Sequence, residues 1–576
     1  MSQAPEPVSA RPDLAMVFAV AVPPLLAYNV SPSATLLNQL LAFFGWGLVL
    51  LAVRARPIEA WRRARWPLLA LGLLVLSVLV SMAASLPATL GLSSLALLLA
   101  AALVLGAAAG VADDESFHAF ASAMLLAGLA SAAVGFVQVF APAWADGSLI
   151  ARTGFVGRAV GNLRQPNHLS SLLVWALIAL VPLARSGRWF GLPLPRGLAG
   201  LVGVVLVWAV VLTASRTGAV GMLLLAVWGA LDRRMPRTLR LGLLATPLVY
   251  ALCWWGMDLW AQQTAHTFGG AARLDAGGDI SSSRFGIWRN TLALIAAHPW
   301  MGVGFGEFNF AWTLGVFPGR PVAFFDHTHN LPLQFMVELG LPAAALLMGL
   351  LLVGLGLAAR RAWSLQDDDA GLRARAAWMM VLLIGLHSML EYPLWYAYFL
   401  LPTAWAWGHA LGASRADRAD PARSPSWLPV GAAVLLTTAF VLQDYAKVVA
   451  VFGPGDGRST LEQRIARGQG SLLFGHHADY AAVTVAEQPS TQMPAFDRAT
   501  HALLDTRLMI AWARALDEIG ERDRARFLVE RLREFRNPDA REFLAVCDAP
   551  PTPLPFQCEA PERVYTPADF GRRAPR

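Results

Sequence analysis

Long runs of apolar residues, separated by short polar breaks, dominate the sequence. Cut at charged residues and at Pro- or Gly-rich stretches, the chain contains thirteen windows, most of them close to the ~20 apolar residues that a helix needs to cross a bilayer. The pattern predicts an all-α polytopic membrane protein with about 13 transmembrane helices. The windows are residues 14–30, 34–53, 66–84, 92–112, 117–141, 168–184, 197–214, 218–231, 239–257, 332–359, 374–391, 396–412 and 429–449.

Arginine is distributed unevenly between alternate loops, and this asymmetry predicts the orientation. One set of loops carries nineteen arginines, from Arg54 to Arg423, whereas the opposite short loops carry four. Because cytoplasmic loops are enriched in Lys and Arg, the first set is predicted to be cytoplasmic. The N-terminus is then inside and the C-terminus outside. The four outer arginines are Arg152, Arg158, Arg164 and Arg216.

Composition agrees with a membrane protein and excludes other classes. Hydrophobic residues make up 56% of the 576 positions, charged residues only 15%, and the mean hydropathy is +0.49. Soluble proteins have about 25% charged residues, so a disordered chain, a secreted disulfide scaffold and a cytosolic enzyme are excluded. The net charge of +7 follows from the cytoplasmic arginines, so we expect no nucleic-acid partner.

Two regions lack the apolar pattern, and the orientation places both outside. One is the loop of residues 258–330 within a membrane domain of residues 1–449, and the other is the tail of residues 450–576. The tail sequence RLMIAWARALDEIGERDRARFLVERLREF has apolar residues at helical spacing around a Gly break. We predict a helix pair of tetratricopeptide (TPR) type or, alternatively, an unspecialised helical tail packed on the membrane domain. Cys547 and Cys558 could form a disulfide in an oxidising compartment, or stay free.

Polar residues that orientation does not explain lie at the outer ends of the predicted spans. Arginine there runs against the positive-inside rule, so each one needs another reason. A diphosphate ligand would supply it, since guanidinium groups bind phosphate oxygens bidentately. Arg216 is the arginine that most needs such a reason, because its loop has only a few residues. The alternatives are snorkelling to lipid phosphate and pairing with Glu391 or Glu338.

A histidine-rich segment, DHTHN at residues 326–330, ends the long loop. Histidine is the usual general base near neutral pH, so one of these side chains could take a proton from an attacking hydroxyl. A structural histidine that caps the following helix is one alternative, and a metal site formed by Asp326, His327 and His329 is another. No second cluster supplies further ligands at a recognisable spacing, so we expect no metal and no other cofactor. Before this segment, residues 284–298 are predicted to form an amphipathic helix on the outer leaflet.

Five motifs across residues 150–410 resemble a known family. They are NLRQPNHLSS, TASRTG, HPWMGVGFGEF, DHTHNLPLQFMVELG and HSMLEYPLWYAYFLLP. In this order, with a long loop before the His-Asn pair, they resemble the O-antigen ligase and polymerase superfamily. The last motif and the helical tail most resemble its bacterial protein O-oligosaccharyltransferase branch.

The resemblance implies an inverting, metal-independent glycosyltransferase of the bacterial inner membrane. On the periplasmic face it would move a glycan from undecaprenyl diphosphate to an acceptor hydroxyl. His329 matches the family's essential histidine, proposed to activate the acceptor, and Glu391 is a second catalytic candidate. Arg216, Arg284 and Arg164 are the expected diphosphate ligands. Supporting motif positions are Gln165, Asn167, His327, Asn330 and Tyr392.

Several functions stay open at this point. The acceptor is a protein such as a pilin, which the last motif and the tail favour, or lipid A-core in a ligase, or the growing lipid-linked glycan in a polymerase. A glycolipid transporter would instead have charges near the bilayer midplane and two similar halves. A membrane anchor that recruits partners through its tail is a third class. The enzyme hypothesis depends on Arg216 and His329 converging in one periplasmic pocket.

Overall fold

The computed structural model describes residues 12–264, 266–271, 280–366, 368–413, 425–455 and 457–571, and these ranges are mostly helical. The strands found there, β1 (Arg188–Trp189) and β2 (Leu192–Pro193), form one short antiparallel pair. Up to residue 452 the helices are α1 (Pro12–Met16), α2 (Val22–Leu25), α3 (Leu36–Ala52), α4 (Pro57–Ala84), α5 (Ala88–Val111), α6 (Asp114–Phe140), α7 (Pro166–Ser186), α8 (Arg196–Leu212), α9 (Arg216–Leu231), α10 (Arg237–Leu244), α11 (Thr246–Gln263), α12 (Ile280–Ala297), α13 (Phe308–Leu314), α14 (Leu331–Ser364), α15 (Asp368–His387), α16 (Ala397–Gly412) and α17 (Leu428–Phe452).

The tail continues as a series of shorter helices. They are α18 (Leu461–Gln469), α19 (Gly475–Val485), α20 (Met493–Ala499), α21 (Thr506–Glu518), α22 (Arg522–Phe535), α23 (Arg541–Leu544) and α24 (Pro567–Phe570). The predicted helix pair is present as α21 and α22, which pack against each other and are joined through Gly520 at φ +83°. That this pair is of TPR type stays a prediction. Cys547 and Cys558 form a disulfide.

Within the described ranges, six helices are long and apolar enough to cross a membrane, namely α4, α5, α6, α7, α14 and α17. The pair α10 and α11, bent by 41°, would be a seventh span. The chain is therefore a multi-pass membrane protein. Each of the thirteen predicted windows contains helix, but α3, α8 and α9 are shorter apolar helices of 10–17 residues. The number thirteen stays a prediction.

Arginines of the predicted cytoplasmic loops bind the carbonyl ends of helices. Arg63 donates to the carbonyl oxygens of Ala109 at 3.4 Å and Gly412 at 3.3 Å, near the ends of α5 and α16. Arg234 donates to the carbonyl of Leu365 at 2.7 Å, just after α14. The last carbonyls of a helix have no partner within it, so these contacts satisfy them. The inside or outside assignment stays a prediction, and three of the nineteen arginines lie outside the described residues: Arg415, Arg418 and Arg423.

The described chain divides into two compact units. The first is formed from Met1–Leu69, Leu99–Gly278 and Leu350–Ala439, and the second from Ala70–Leu98, Asp279–Gly349 and Phe440–Arg576. The tail therefore shares its unit with most of the long loop. The predicted domain boundary at residue 449 stays a prediction.

Helix α7 is the central element of the first unit. It packs against α6, α8, α9 and α15, and its side chains are buried along almost its whole length.

A buried ion pair lies near the predicted cytoplasmic ends of α9 and α15. Arg375 Nε lies 2.6 Å from Asp232 Oδ2, with both side chains only 1% exposed. Trp228 donates to the same oxygen at 3.2 Å. Two charges are thus paired inside an apolar unit.

Aromatic residues from the long loop and the tail share the core of the second unit. The ring of Phe324 stacks on that of Phe535 at 3.9 Å, and Trp312 meets Phe535 edge-on at 5.4 Å. Helix α12 is present where an amphipathic helix was predicted, and it buries Ile287 in this core while Phe285 is exposed. Its contact with the outer leaflet stays a prediction.

The buried ion pair generates a test of stability. We expect Asp232→Ala to destabilise the protein by about 3–5 kcal/mol, because it leaves the Arg375 guanidinium buried without its carboxylate. Thermal unfolding of the purified protein in detergent measures this loss. The control is Asp369→Ala, which removes an ion pair with Arg185 whose side chains are 53% and 43% exposed. Equal loss in both variants would contradict the role given to burial.

Candidate functional site

Three of the five motifs meet in a partly buried hydrogen-bond network of the first unit. Asn167 Nδ2 donates to Glu391 Oε1 at 3.0 Å, and its Oδ1 accepts from Ser215 Oγ at 2.6 Å. Ser170 Oγ lies 3.1 Å from Ser215 Oγ. We call Asn167, Ser170, Ser215 and Glu391 the asparagine network. It joins the starts of α7 and α9 to the segment that follows α15.

Local sequence fixes the start of α7 and so the direction of Asn167. Gln165 is the N-cap residue, and its side chain accepts from the backbone N–H of His168 at 2.7 Å. Pro166 occupies the first helical position, where a missing N–H has no consequence. Gln165, expected as a supporting residue, thus caps the helix start, and its role in function stays a prediction. Beside Glu391, the ring of Tyr392 stacks on that of Tyr396 at 6.1 Å.

Arg216 lies directly beside the asparagine network as the first residue of α9. Ser215 caps this helix by accepting from the Gly218 N–H at 3.3 Å. The Arg216 side chain is exposed, and in the part of the chain that the structure describes it makes no hydrogen bond or ion pair. A cation at the positive end of a helix is unfavourable unless an anion lies near it. This position therefore favours an anionic ligand.

Two other arginines that are predicted to be outside bind backbone. Arg158 Nε donates to the carbonyl of Thr213 at 3.1 Å, supporting the turn before Arg216. Arg164 Nη2 donates to the carbonyl of Ala27 at 2.5 Å. These contacts favour positioning roles, and the expectation that Arg164 binds diphosphate stays a prediction.

The histidine-rich segment of residues 326–330 lies in the second unit and is fixed from both sides. Trp288 of α12 donates to the carbonyl of Thr328 at 2.9 Å, and the Thr328 N–H donates to Gln334 of α14 at 2.8 Å. Asn330 Oδ1 accepts from the Leu333 N–H at 3.1 Å. Asn330 therefore provides the helix cap that was an alternative role for a histidine.

The two histidines of this segment have different surroundings. His327 Nδ1 lies 2.8 Å from Asp326 Oδ1. Desolvation acts to raise the pKa of Asp326, but the neighbouring His327 and, to a smaller extent, His329 hold it below its ordinary value. The ring of His329 instead meets that of Phe325 edge-on at 5.6 Å. Arg284 lies one helical turn before Trp288 on α12, so it shares the face that contacts this segment.

Backbone strain coincides with the motifs. Six non-glycine residues in the described chain have positive φ, and three of them are Arg164 at +57°, Ala214 at +47° and His329 at +55°. Such conformations are unfavourable for residues with a Cβ and cluster at functional sites. Strain at His329 is thus a further observation in favour of a functional segment.

The glycine-rich motif HPWMGVGFGEF holds backbone against backbone. Gly302 has φ +67°, and a Cβ there would lie 2.4 Å from the carbonyl atoms of Glu338. Gly340 has φ +77°, and a Cβ there would lie 2.3 Å from the carbonyl oxygen of Trp300. The Gly304 N–H donates to the carbonyl of Glu338 at 3.0 Å. These glycines permit a close turn of the loop against α14, which gives the motif a structural role.

Sequence reasoning missed Arg320 of the long loop, whose side chain is completely buried. Its Nη2 lies 3.0 Å from Glu534 Oε2 of the tail. Its Nη1 donates to the Trp312 carbonyl at 3.1 Å, and the guanidinium lies 4.4 Å from the ring centre of Phe535. The arginine distribution could have indicated this residue, since Arg320 is a further arginine in a loop predicted to be outside.

The predicted site residues fall into both units. Arg164, Gln165, Asn167, Arg216, Glu391 and Tyr392 lie in the first, and Arg284, His327, His329 and Asn330 in the second. The convergence of Arg216 and His329 stays a prediction. Among the described residues, no three His, Cys, Asp or Glu side chains are grouped as ligands for a metal ion.

Family models match three parts of the chain. The O-antigen ligase model matches residues 201–348, the C-terminal model of a virulence-factor membrane-bound polymerase matches residues 375–545, and the protein glycosylation ligase model matches residues 159–183. The first match covers the Arg216 and histidine motifs. The third covers the start of α7.

Two proteins of Acinetobacter baylyi are similar in sequence. A general O-oligosaccharyltransferase is 26% identical over 269 residues, covering 44% of this chain and 43% of the relative. A ComP-specific O-oligosaccharyltransferase is 25% identical over 263 residues, covering 45% and 44%. The chain thus spans less than half the length of these relatives. The matches confirm the resemblance to the O-antigen ligase superfamily and to its O-oligosaccharyltransferase branch.

The Arg320 ion pair generates a test of loop rigidity. Glu534→Gln should accelerate limited proteolysis within residues 315–330 by about threefold or more, because the loop opens more often when the buried guanidinium loses its partner charge. Glu530→Gln is the control, since Glu530 pairs with Arg533 at 3.6 Å with a 40% exposed side chain. Equal cleavage rates in the wild type and both variants would show that the ion pair does not hold the loop.

Proposed function

We propose that this protein is an O-linked oligosaccharyltransferase. It transfers a glycan en bloc from undecaprenyl diphosphate to a Ser or Thr hydroxyl of a periplasmic protein such as a pilin. The protein is proposed to lie in the bacterial inner membrane with its N-terminus in the cytoplasm and the tail in the periplasm. The disulfide between Cys547 and Cys558 supports an oxidising compartment for the tail.

The observation that carries the proposal is the asparagine network beneath an exposed arginine. Asn167 holds Ser215 and Glu391 together, and Ser215 caps the helix that begins with Arg216. The N–H groups of a helix start and a guanidinium both bind phosphate oxygens. We therefore propose Arg216 as the main ligand of the donor diphosphate, with Arg284 and Arg164 as further ligands.

In the proposed reaction, the acceptor hydroxyl attacks C1 of the first sugar from the side opposite the diphosphate. His329 takes the hydroxyl proton as the new C1–oxygen bond forms. The old bond to the diphosphate oxygen breaks, its electron pair leaves with undecaprenyl diphosphate, and configuration at C1 inverts. Arg216 and Arg284 stabilise the charge on the leaving group. Glu391 accepts the hydrogen bond that holds Asn167 in position. These residues complete the step without a metal ion.

A ligase for lipid A-core and a lipid-linked glycan polymerase are the alternatives. The descriptions of the two larger family matches, an O-antigen ligase and a membrane-bound polymerase, favour them. The two relatives, both named O-oligosaccharyltransferases, favour a protein acceptor. All three functions use the same donor and differ in the acceptor.

The acceptor is tested by intact-mass analysis of a periplasmic pilin-like protein from cells with and without this chain. We expect an added glycan mass only where the chain is present. Unchanged mass, together with glycan newly attached to lipid A-core, would decide for the ligase, and longer lipid-linked glycans alone would decide for the polymerase. Flux of labelled glycolipid across vesicles without transfer would point to a transporter.

Site variants test the roles of the two main residues. His329→Ala should lower the transfer rate by about 10²–10⁴-fold, the usual contribution of a general base. Arg216→Ala should also remove transfer, and Arg216→Lys should restore only part of it because lysine cannot bind bidentately. Arg289→Ala is the matched control, since Arg289 is an exposed arginine of α12. Near-normal transfer by a variant lacking both His327 and His329 would refute the general-base role of His329, provided that all proteins reach the membrane in equal amounts.

A further inference from the structure

The tail contains a cavity of about 440 Å³ that the proposed reaction does not use. It lies in the second unit, between α20, α21, the start of α22 and α24. Small-molecule sites are usually of roughly 300–1,000 Å³ and combine apolar walls with a few polar groups. The size of the cavity therefore suits a small ligand.

Three aromatic rings line the cavity. Phe496 of α20 is stacked near Trp512 of α21 at 6.2 Å, with an interplanar angle of 19°. Phe570 of α24 meets Trp512 at 5.3 Å and 68°. The cavity thus has flat apolar surfaces set at different angles.

Polar groups stand between these rings. The cavity is also lined by Asp497, Thr500, His501, Glu521, Arg524 and Asp569. Glu521 lies 3.6 Å from Arg524, and Asp569 accepts from the Thr566 hydroxyl at 2.8 Å. Acceptors therefore outnumber cations in the lining, which disfavours an anion such as phosphate.

His501 is held in place at the cavity wall. Its side chain is 4% exposed, and Nδ1 lies 2.6 Å from Glu307 Oε2. The other oxygen of Glu307 accepts from Ser85 Oγ at 2.9 Å, and the ring of Phe310 stacks on His501 at 4.5 Å. Since Nδ1 is engaged, Nε2 is the ring nitrogen left for a ligand. Within the described chain, Nε2 makes no hydrogen bond.

We propose that this cavity binds a saccharide unit of the glycan. A pyranose has an apolar face of C–H groups and a rim of hydroxyls that both donate and accept. The aromatic walls match the face, and Asp497, Thr500 and His501 match the rim. A lipid chain would leave these polar groups without partners. The choice of a saccharide over another amphipathic ligand rests on the proposed function.

Binding to the full-length chain in detergent tests the proposal. The probe is the water-soluble oligosaccharide released by mild acid from the lipid-linked donor of the same cells, and the measurements are saturation-transfer NMR and titration calorimetry. Asp497→Asn and Phe570→Leu should each weaken binding about fivefold to tenfold, as expected for loss of a charged hydrogen bond or an aromatic contact. Asp539→Asn makes the same chemical change at an exposed tail residue that does not line the cavity, and it should bind as the wild type does.

Equal affinity in Asp497→Asn and Asp539→Asn, with both proteins folded by thermal unfolding, would overturn the proposal. Binding of N-acetyl-lysine amide in place of the oligosaccharide would also overturn it and identify a site for cationic side chains. Because binding is measured without transfer, this failure is distinct from that of the proposed function. A failed function would instead leave the acceptor mass unchanged.

Discussion

The hydrogen bonds of Asn167 are the interaction on which the first unit's part of the site depends. A partly buried amide loses some of its contact with water, so it is most stable when its donors and acceptors are paired within the protein. Asn167 meets this requirement with Ser215 and Glu391, and so ties together segments that are far apart in the chain. The consequence is a fixed position for the start of α9, and with it for Arg216. Arg216, the arginine proposed to bind the diphosphate, is thus supported by neutral and acidic neighbours rather than neutralised by them.

In the second unit, Arg320 has a corresponding role. Its guanidinium contacts backbone carbonyls of the loop, the Glu534 carboxylate and the Phe535 ring, so loop and tail share one core. Helix α12 and Gln334 then fix the histidine-rich segment through Thr328. The tail is therefore part of the scaffold of this segment, which argues against the hypothesis of a membrane anchor whose tail acts alone.

The proposed chemistry asks little of the protein beyond this scaffolding. A lipid diphosphate is already a good leaving group, so charge stabilisation and orientation of the acceptor are enough. The strained backbone lies at His329 itself and at Ala214, two residues before Arg216. A saccharide site in the tail would add affinity for the glycan of the donor.

Sequence alone determined the helical membrane class, the positions of the apolar helices, the helix pair of the tail and the motifs that carry the family resemblance. These properties are local, since apolar spacing and arginine asymmetry can be read along the chain. Only the tertiary structure decided that Arg158 and Arg164 bind backbone, that Asn330 rather than a histidine caps α14, and that the buried Arg320 meets Glu534. Partners 48 and 224 residues apart, as in the asparagine network, are brought together by helix packing. A one-dimensional pattern shows which residues are buried but not which buried polar groups meet.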